Sequence, residues 1–492
     1  MYSLGIDIGS SSIKVALLDI ESGKLAASST NPSREMPISA PQKGFAEQDP
    51  EMWWKYVCEG IRDIAAKCNL AKVKSIGVTY QMHGLVAVDS QSRPLRDAII
   101  WCDSRAVSLG ARAFEELGAE RCLGHLLNSP GNFTASKLAW VKENQPEIYS
   151  RVWKFMLPGD YIVYKLTGEV STTETGLSEQ ILWDFRNSRR ADFVAEHFGI
   201  DTGLIPDTAP SIGVAAKTTE DFQRLTGIPA GTPVSYRAGD QPNNAFSLNV
   251  LNPGEIAATG GTSGVVYGVT DVPKADSASR VNTFLHVNNT ASSPRLGVLL
   301  CINGTGIMNS WVHHNISPET GYAEMNEIAL TAPVGCDGLT VIPFGNGAER
   351  VLCNTTAGAS FNGLDLVRHG RAHIFRAVQE GIAYSFRYGI DIMKNLGLAP
   401  AVIRAGKANL FLSPLFRTTL ATLTDARIEL FDTDGALGAA RGAALGAGIY
   451  KSEQEAFSTL TKVGEVEPEP SWKQPLEETY ENWKKTLDKS LN

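Results

Sequence analysis

Two acidic residues stand where apolar runs give way to glycine and small polar residues, a setting suited to phosphate chemistry. Asp7 ends the run Leu4-Gly5-Ile6-Asp7-Ile8 and is followed by Gly9-Ser10-Ser11-Ser12 and a second apolar run over 13–18. Buried runs bounded by Gly and Ser read as two strands joined by a tight turn. Free N–H groups of such a turn converge on an anion, and no bulky side chain blocks its approach. A carboxylate beside that cradle repels a phosphate unless Mg²⁺ lies between them, a hard cation that takes oxygen ligands and keeps water. Asp240 closes the run over 233–238, after Gly239 and before Gln241-Pro242. There it can take the proton that a hydroxyl loses when it attacks phosphorus. Each has a plainer reading. Asp7 fits an ordinary hairpin with an incidental acid, and Asp240, with Pro two residues on, fits a helix N-cap.

The opening pattern returns half a chain later. Residues 256–267 run strand, then Gly260-Gly261-Thr262-Ser263-Gly264, then strand. Two such hairpins predict a duplicated fold whose two turns face each other across a cleft. Thr262 and Ser263 offer hydroxyl and N–H groups to a phosphate. Met82-His83-Gly84 follows a strand over 73–80, where a His can bond a polyol or keto oxygen, or simply a backbone group. Trp101 and Asp103 end a neighbouring strand; an aromatic face beside a carboxylate suits a sugar, and a core Trp with a capping Asp is the commoner outcome. Gly406-Lys407-Ala408-Asn409 is either a support for adenine or a plain strand-to-helix turn. Lys14 reads as a phosphate contact or, more simply, as a charge on the exposed side of its strand. Gly-Lys is followed by Leu at 25 and Ala at 408, so no P-loop is present, and no H-E-x-x-H occurs. His369 and His373 read as helix-surface residues.

The elements that must position these residues are strands at 2–8, 13–20 and 23–30 and a helix over 50–67, opened by Asp49 and Pro50. Residues 134–198 read as mainly helical, with Trp140, Trp153, Tyr161 and Tyr164 as core candidates. Helices follow near 305–314, 322–331 and 368–394, then a strand at 402–405 and a helix from 413. The small-residue stretch 434–446 reads as a helix in close approach to its neighbours, since that much glycine is costly without such packing. The tail over 466–492 reads as a surface element pinned by Trp472 and Trp483. A chain of 492 residues exceeds one core, which predicts two domains or more. A net charge of −8 argues against nucleic acid as the main partner. No apolar run approaches membrane-spanning length, and no signal peptide is evident. The seven cysteines are scattered without a C-x-x-C pair, as expected of reduced thiols in a cytoplasmic protein.

Taken together, Asp7-Ile-Gly-Ser-Ser-Ser-Ile-Lys14, Gly239-Asp240, Gly260-Gly-Thr-Ser-Gly264 and the segment 134–144 resemble the FGGY carbohydrate kinases, in order and over about residues 1–450. The resemblance implies an α/β protein of two ribonuclease-H-like domains of the actin/hexokinase ATPase type around a central cleft. It implies a sugar-binding and catalytic domain over 1–246, a nucleotide-binding domain over 247–450 and a surface tail over 451–492. It implies ATP and Mg²⁺, a small-molecule sugar, no nucleic acid or membrane partner, and a homodimer. Position by position, Asp240 becomes the proton acceptor and Asp7 the residue that orients Mg²⁺. Met82, His83, Asp240 and Gln241 contact the sugar, with Trp101 and Asp103 beside them. Ser10, Ser11, Ser12, Gly261, Thr262 and Ser263 hold phosphates, while Gly306, Gly406 and Asn409 line the nucleotide. Gln81-Met82-His83-Gly84 looks most like the xylulokinase branch, implying D-xylulose as acceptor. Two departures matter: Gln241 replaces the usual Asn, as in glycerol kinases, which bears on the acceptor, and Arg404-Ala405 precede Gly406 where the adenine loop is usually richer in glycine, which bears on nucleotide preference. The alternatives are a kinase for ribulose or glycerol, and a nucleotide-binding regulator of the same superfold.

Overall fold

The computed structural model describes residues 1–491, which fall into two compact units. The first takes residues 1–249, 284–296 and 433–460; the second takes 250–283, 297–432 and the chain from 461 onward. Continuous blocks ending at 246 and 450 were the sequence expectation. The units interleave instead, because the helix Gly435–Gly446 packs on the first unit's sheet and the strand Lys462–Val466 joins the second's.

The first unit is built on a six-stranded sheet. Its spatial order is Ile212–Lys217, Pro233–Gly239, Val73–Tyr80, Tyr2–Ile8, Ile13–Asp19, Leu25–Asn31. Pro233–Gly239, Val73–Tyr80 and Tyr2–Ile8 are mutually parallel, and the other strands pair antiparallel. Leu4, Ile6, Ile13, Val15 and Leu17 are buried against Trp53, Val57, Ile61 and Ile64 of the helix Pro50–Ala65. That helix starts where expected, with Pro50 in its first turn and the Asp49 carboxylate accepting from the Glu51 N–H at 2.9 Å. On the opposite side the glycine-rich helix lies close to the strands. A Cβ on Gly5 would sit 1.8 Å from the Ala436 carbonyl oxygen, and one on Gly77 2.1 Å from that of Ala439. Glycine in both strands is therefore a condition of the contact. Of the four predicted core aromatics, Tyr161 is fully buried, Trp140 and Tyr164 are half-buried, and Trp153 is exposed.

The second unit repeats the plan on a seven-stranded sheet. Its order is Asn282–Leu285, Leu296–Ile302, Gly264–Thr270, Ile256–Gly260, Val402–Gly406, Arg427–Phe431, Lys462–Val466. Again a hairpin, Ile256–Gly260 with Gly264–Thr270, is followed on one side by parallel strands and closed by an antiparallel edge strand. The helix Arg371–Lys394 supplies much of the core. The C-terminal helix Pro470–Leu491 is more than a surface tail. Trp483 is fully buried and donates through its indole N–H to the Val341 carbonyl at 2.9 Å. Among the described residues no helix is long and apolar enough to cross a membrane.

Candidate active site

Strand register brings the first unit's acids together. Ile8 pairs with Tyr80, and Tyr80 with Gly239, so three neighbouring parallel strands end level. Asp7, the Gln81-Met82-His83 segment and Asp240 emerge at those carboxyl ends, the edge where open α/β sheets bind ligands. The turn after Asp7 is closed by the Gly9 N–H donating to the Ser12 carbonyl at 3.1 Å. Its shape is held from outside. Gln48 donates to the Ser10 carbonyl at 2.7 Å, and the Met36 N–H donates to that of Ser11 at 2.8 Å.

Asp7 remains partly accessible while protein crowds it. That burial, with the Asp240 and Asp434 carboxylates nearby, pushes its carboxyl up to about 7, against the pull of Lys14. Lys14 is not the free strand-face charge the sequence suggested: its Nζ lies 2.6 Å from Asp434 Oδ2. Asp434 Oδ1 in turn caps the helix Gly435–Gly446 by accepting from the Leu437 N–H at 2.9 Å. A Cβ on Gly435 would sit 2.3 Å from Asp7 Oδ2, so glycine keeps that carboxylate oxygen clear. Three carboxylates answered by one ammonium leave a local excess of negative charge, which suits a divalent cation. Among the described residues no group of three or more His, Cys, Asp or Glu is placed to hold a metal. A cation here would depend on water and phosphate oxygens for most of its ligands, the usual habit of Mg²⁺.

Asp240 is the first residue of the helix Asp240–Ser247, and the N-cap position falls on Gly239. Burial pushes it up to about 6, with hydrogen bonds from the Gln241 N–H and side chain holding it lower than burial alone would. Met82 is buried against Gly239, where a Cβ would lie 2.6 Å from Met82 Cγ and 2.7 Å from Glu179 Oε2. His83 adopts φ +61°. Its Nδ1 lies 3.1 Å from the Glu179 carbonyl oxygen, which only accepts. Nδ1 therefore carries a proton. The ring is flanked by Phe133 at 4.7 Å and Phe284 at 5.4 Å.

Glu179, Phe133 and Phe284 were missed from sequence. Glu179 is a buried carboxyl pushed well above its ordinary range by burial and by Asp160. No local pattern singles it out, since only the fold sets it beside Asp240. Trp101 is exposed, with its indole N–H 3.4 Å from Ser10 Oγ. Asp103 is differently engaged. Its carboxylate takes the Ala46 N–H at 2.6 Å and the Arg105 guanidinium at 2.7 and 3.0 Å, and its side chain is fully buried. These partners make it an anchor for the loop.

In the second unit Gly261, Thr262, Gly306 and Asn409 line one cavity of about 510 Å³. The turn is joined to the helix Gly306–Ile316, because the Ile307 N–H donates to the Thr262 carbonyl at 3.0 Å. A Cβ on Gly306 would sit 2.1 Å from the Gly261 carbonyl oxygen. Ser263 and Gly406 do not line this cavity. Asn309, Tyr322, Asn326 and Ser413 do, and sequence reasoning passed over them. Gln379 fixes two of these residues, donating to Asn326 Oδ1 at 2.8 Å and accepting from Ser413 Oγ at 2.6 Å. The apolar wall with amides and hydroxyls suits a flat polar base, and the small-residue turn suits its phosphates.

Comparison with known proteins gives the family of the chain. Residues 2–247 match the N-terminal domain of the FGGY family of carbohydrate kinases, and residues 256–449 match its C-terminal domain. A xylulose kinase of Bacillus subtilis is 28% identical over 469 residues, covering 92% of this chain and 90% of that protein. The crystal structure of ligand-bound xylulose kinase from Lactobacillus acidophilus superposes with a TM-score of 0.90 at 23% identity, covering 99% of this chain and 98% of that one. Plasmodium falciparum glycerol kinase with ADP gives 0.88 at 20% identity, covering 100% and 98%.

Proposed function

Because this chain belongs to the FGGY family of carbohydrate kinases, and so is an ATP-dependent phosphotransferase acting on a sugar, we propose that its acceptor is a ketopentose, D-xylulose first, and its product D-xylulose 5-phosphate. The observation that carries this reading is the company Asp240 keeps: Met82 and the His83 ring stand at the same sheet edge. The first unit takes the sugar and the second the nucleotide.

In the proposed reaction one sugar hydroxyl donates to the Asp240 carboxylate and another meets the His83 imidazole. Asp240 accepts the first hydroxyl's proton as its oxygen forms the new bond to phosphorus, and the bond between the γ-phosphorus and the bridging oxygen breaks to release ADP. A base near pH 6 is mostly ionised at neutral pH and still basic enough to help. The turn at Ser10–Ser12 offers N–H and hydroxyl groups to phosphate oxygens, as does that at Gly261–Ser263, and Gly306 and Asn409 lie along the nucleotide. Asp7 is the residue to hold Mg²⁺ through its water shell, and that ion when bound neutralises charge on the phosphate oxygens. Gln241 favours a second reading, a kinase for glycerol or ribulose.

The test is ADP release with Mg-ATP against D-xylulose, L-xylulose, D- and L-ribulose, glycerol, gluconate and no sugar. The expected outcome is a strong response to D-xylulose. A strong response to another acceptor instead transfers the assignment to that sugar. Equal release with and without sugar overturns the kinase reading in favour of a nucleotide-hydrolysing regulator.

A further inference from the structure

The helix Thr134–Asn144 grips the His83 loop with its first turn. Phe133, just before it, sets its ring edge-on to the His83 imidazole. Thr134 Oγ1 donates to the Gly84 carbonyl at 3.2 Å. Lys137, fully buried, donates through Nζ to the His83 carbonyl at 2.7 Å and to the Ile100 carbonyl at 3.1 Å. Ile100 is the residue before Trp101. One ammonium thus joins two chain segments, each leading into a residue placed at the sugar side from sequence.

A buried lysine is a costly way to join them, because burying the charged form is unfavourable. Burial pulls the amine down to about 7, and either protonation state keeps enough hydrogens for both carbonyls. A methionine would fill the same space without that cost. The left-handed backbone of His83 gives the lysine a purpose. A residue with a Cβ holds φ +61° only where its surroundings impose it. The carbonyl that Lys137 holds is that residue's own.

We propose that Lys137 is a positioning residue for the acceptor sugar: it ties the segment carrying Met82 and His83 to the one carrying Trp101, and so sets the imidazole where a sugar hydroxyl meets it. The proposal rests on the reading of Met82 and His83 as sugar contacts. It differs from a general packing role because the bonds end on loop carbonyls at the site, and the second unit's nucleotide cavity has no part in them.

The experiment is steady-state kinetics on the whole chain for Lys137→Met and Lys137→Gln, beside His83→Ala. Acceptor and ATP are varied separately, using D-xylulose or whichever panel acceptor turns over fastest. Loss of both bonds in Lys137→Met is expected to raise the acceptor KM about tenfold or more. Lys137→Gln, able to donate to one carbonyl, should rise less, and the ATP KM should stay within about twofold in both. An unchanged acceptor KM in Lys137→Met, or equal rises for acceptor and ATP, overturns the proposal. If His83→Ala also leaves the acceptor KM unchanged, the sugar-site reading itself has failed. Should circular dichroism show both lysine variants unfolded, Thr134→Val takes their place. It removes the bond to Gly84 alone, and an acceptor-specific rise of about threefold supports the clamp, while no rise overturns it.

Discussion

The hairpin turn of the first unit and that of the second share a backbone plan and differ in charge. Asp7 pairs across its hairpin with Lys14; the residue in the same place before the second turn is Thr259, which pairs with Val265. The first turn therefore lies in a field of three carboxylates and one ammonium, while the second is built from glycine, hydroxyls and backbone N–H groups. A duplicated shape has been given two electrostatic tasks. The charged copy suits a cation and a proton acceptor; the neutral copy suits phosphate and base without repelling them.

The largest effect expected of that contrast is at Asp240. Asp240→Asn should lower kcat by about 10²–10⁴-fold while calorimetry still detects ATP binding, since the neutral turn is untouched. The wild-type acid limb should follow the ionisation of Asp240, with kcat/KM falling as pH drops below about 6. A variant near full rate breaks the assignment of the base to the charged copy. Gly435→Ala comes next. Its Cβ would meet Asp7 Oδ2 at 2.3 Å, so turnover should fall about tenfold or more and the dependence on Mg²⁺ concentration should shift upward. An unaltered Mg²⁺ titration would detach Asp7 from the metal.

Gly306→Ala probes the neutral copy alone. Its methyl would lie 2.1 Å from the Gly261 carbonyl oxygen, so the ATP KM should rise about five- to tenfold with the acceptor KM unchanged. A rise in the acceptor KM alone would reverse the division of labour. The smallest effect is on stability. Asp7 is raised to about 7 in the folded chain, against about 3.9 for an unfolded carboxyl. The protonated form is therefore the one folding favours. Its contribution is full below about pH 4 and is lost as pH rises through about 7. Asp7→Asn, melted without nucleotide and in EDTA, should gain a few degrees in Tm over the parent at pH 8 and less at pH 4.5. An equal difference at both pH values would show that the charged copy carries no electrostatic strain.

Much of this was legible beforehand for local reasons. The apolar runs around Gly9-Ser10-Ser11-Ser12 and Gly260-Gly261-Thr262-Ser263 had to be strands, because nothing else buries them so briefly. Asp49-Pro50 announced the helix Pro50–Ala65, and the glycines of 435–446 announced close packing. The misreadings were non-local. Lys14 looked like a surface charge because its partner, Asp434, lies 420 positions away. Asp103 read as either a sugar contact or a capping acid, and its oxygens take Arg105 and the Ala46 N–H, 57 positions away. Trp483 looked like a surface pin because the amphipathic tail does not say which core it completes.

The elements, the repeated hairpin and the residue types at each turn follow from periodicity and from side chains next to one another in the chain. Which groups come near one another depends on the folded chain. Level strand ends brought Asp7, His83 and Asp240 to one edge; the return of residues 433–460 to the first unit gave Lys14 its partner; burial moved the two aspartates to about 7 and about 6. Proton affinity depends on what surrounds a group in space, and no stretch of chain carries that by itself.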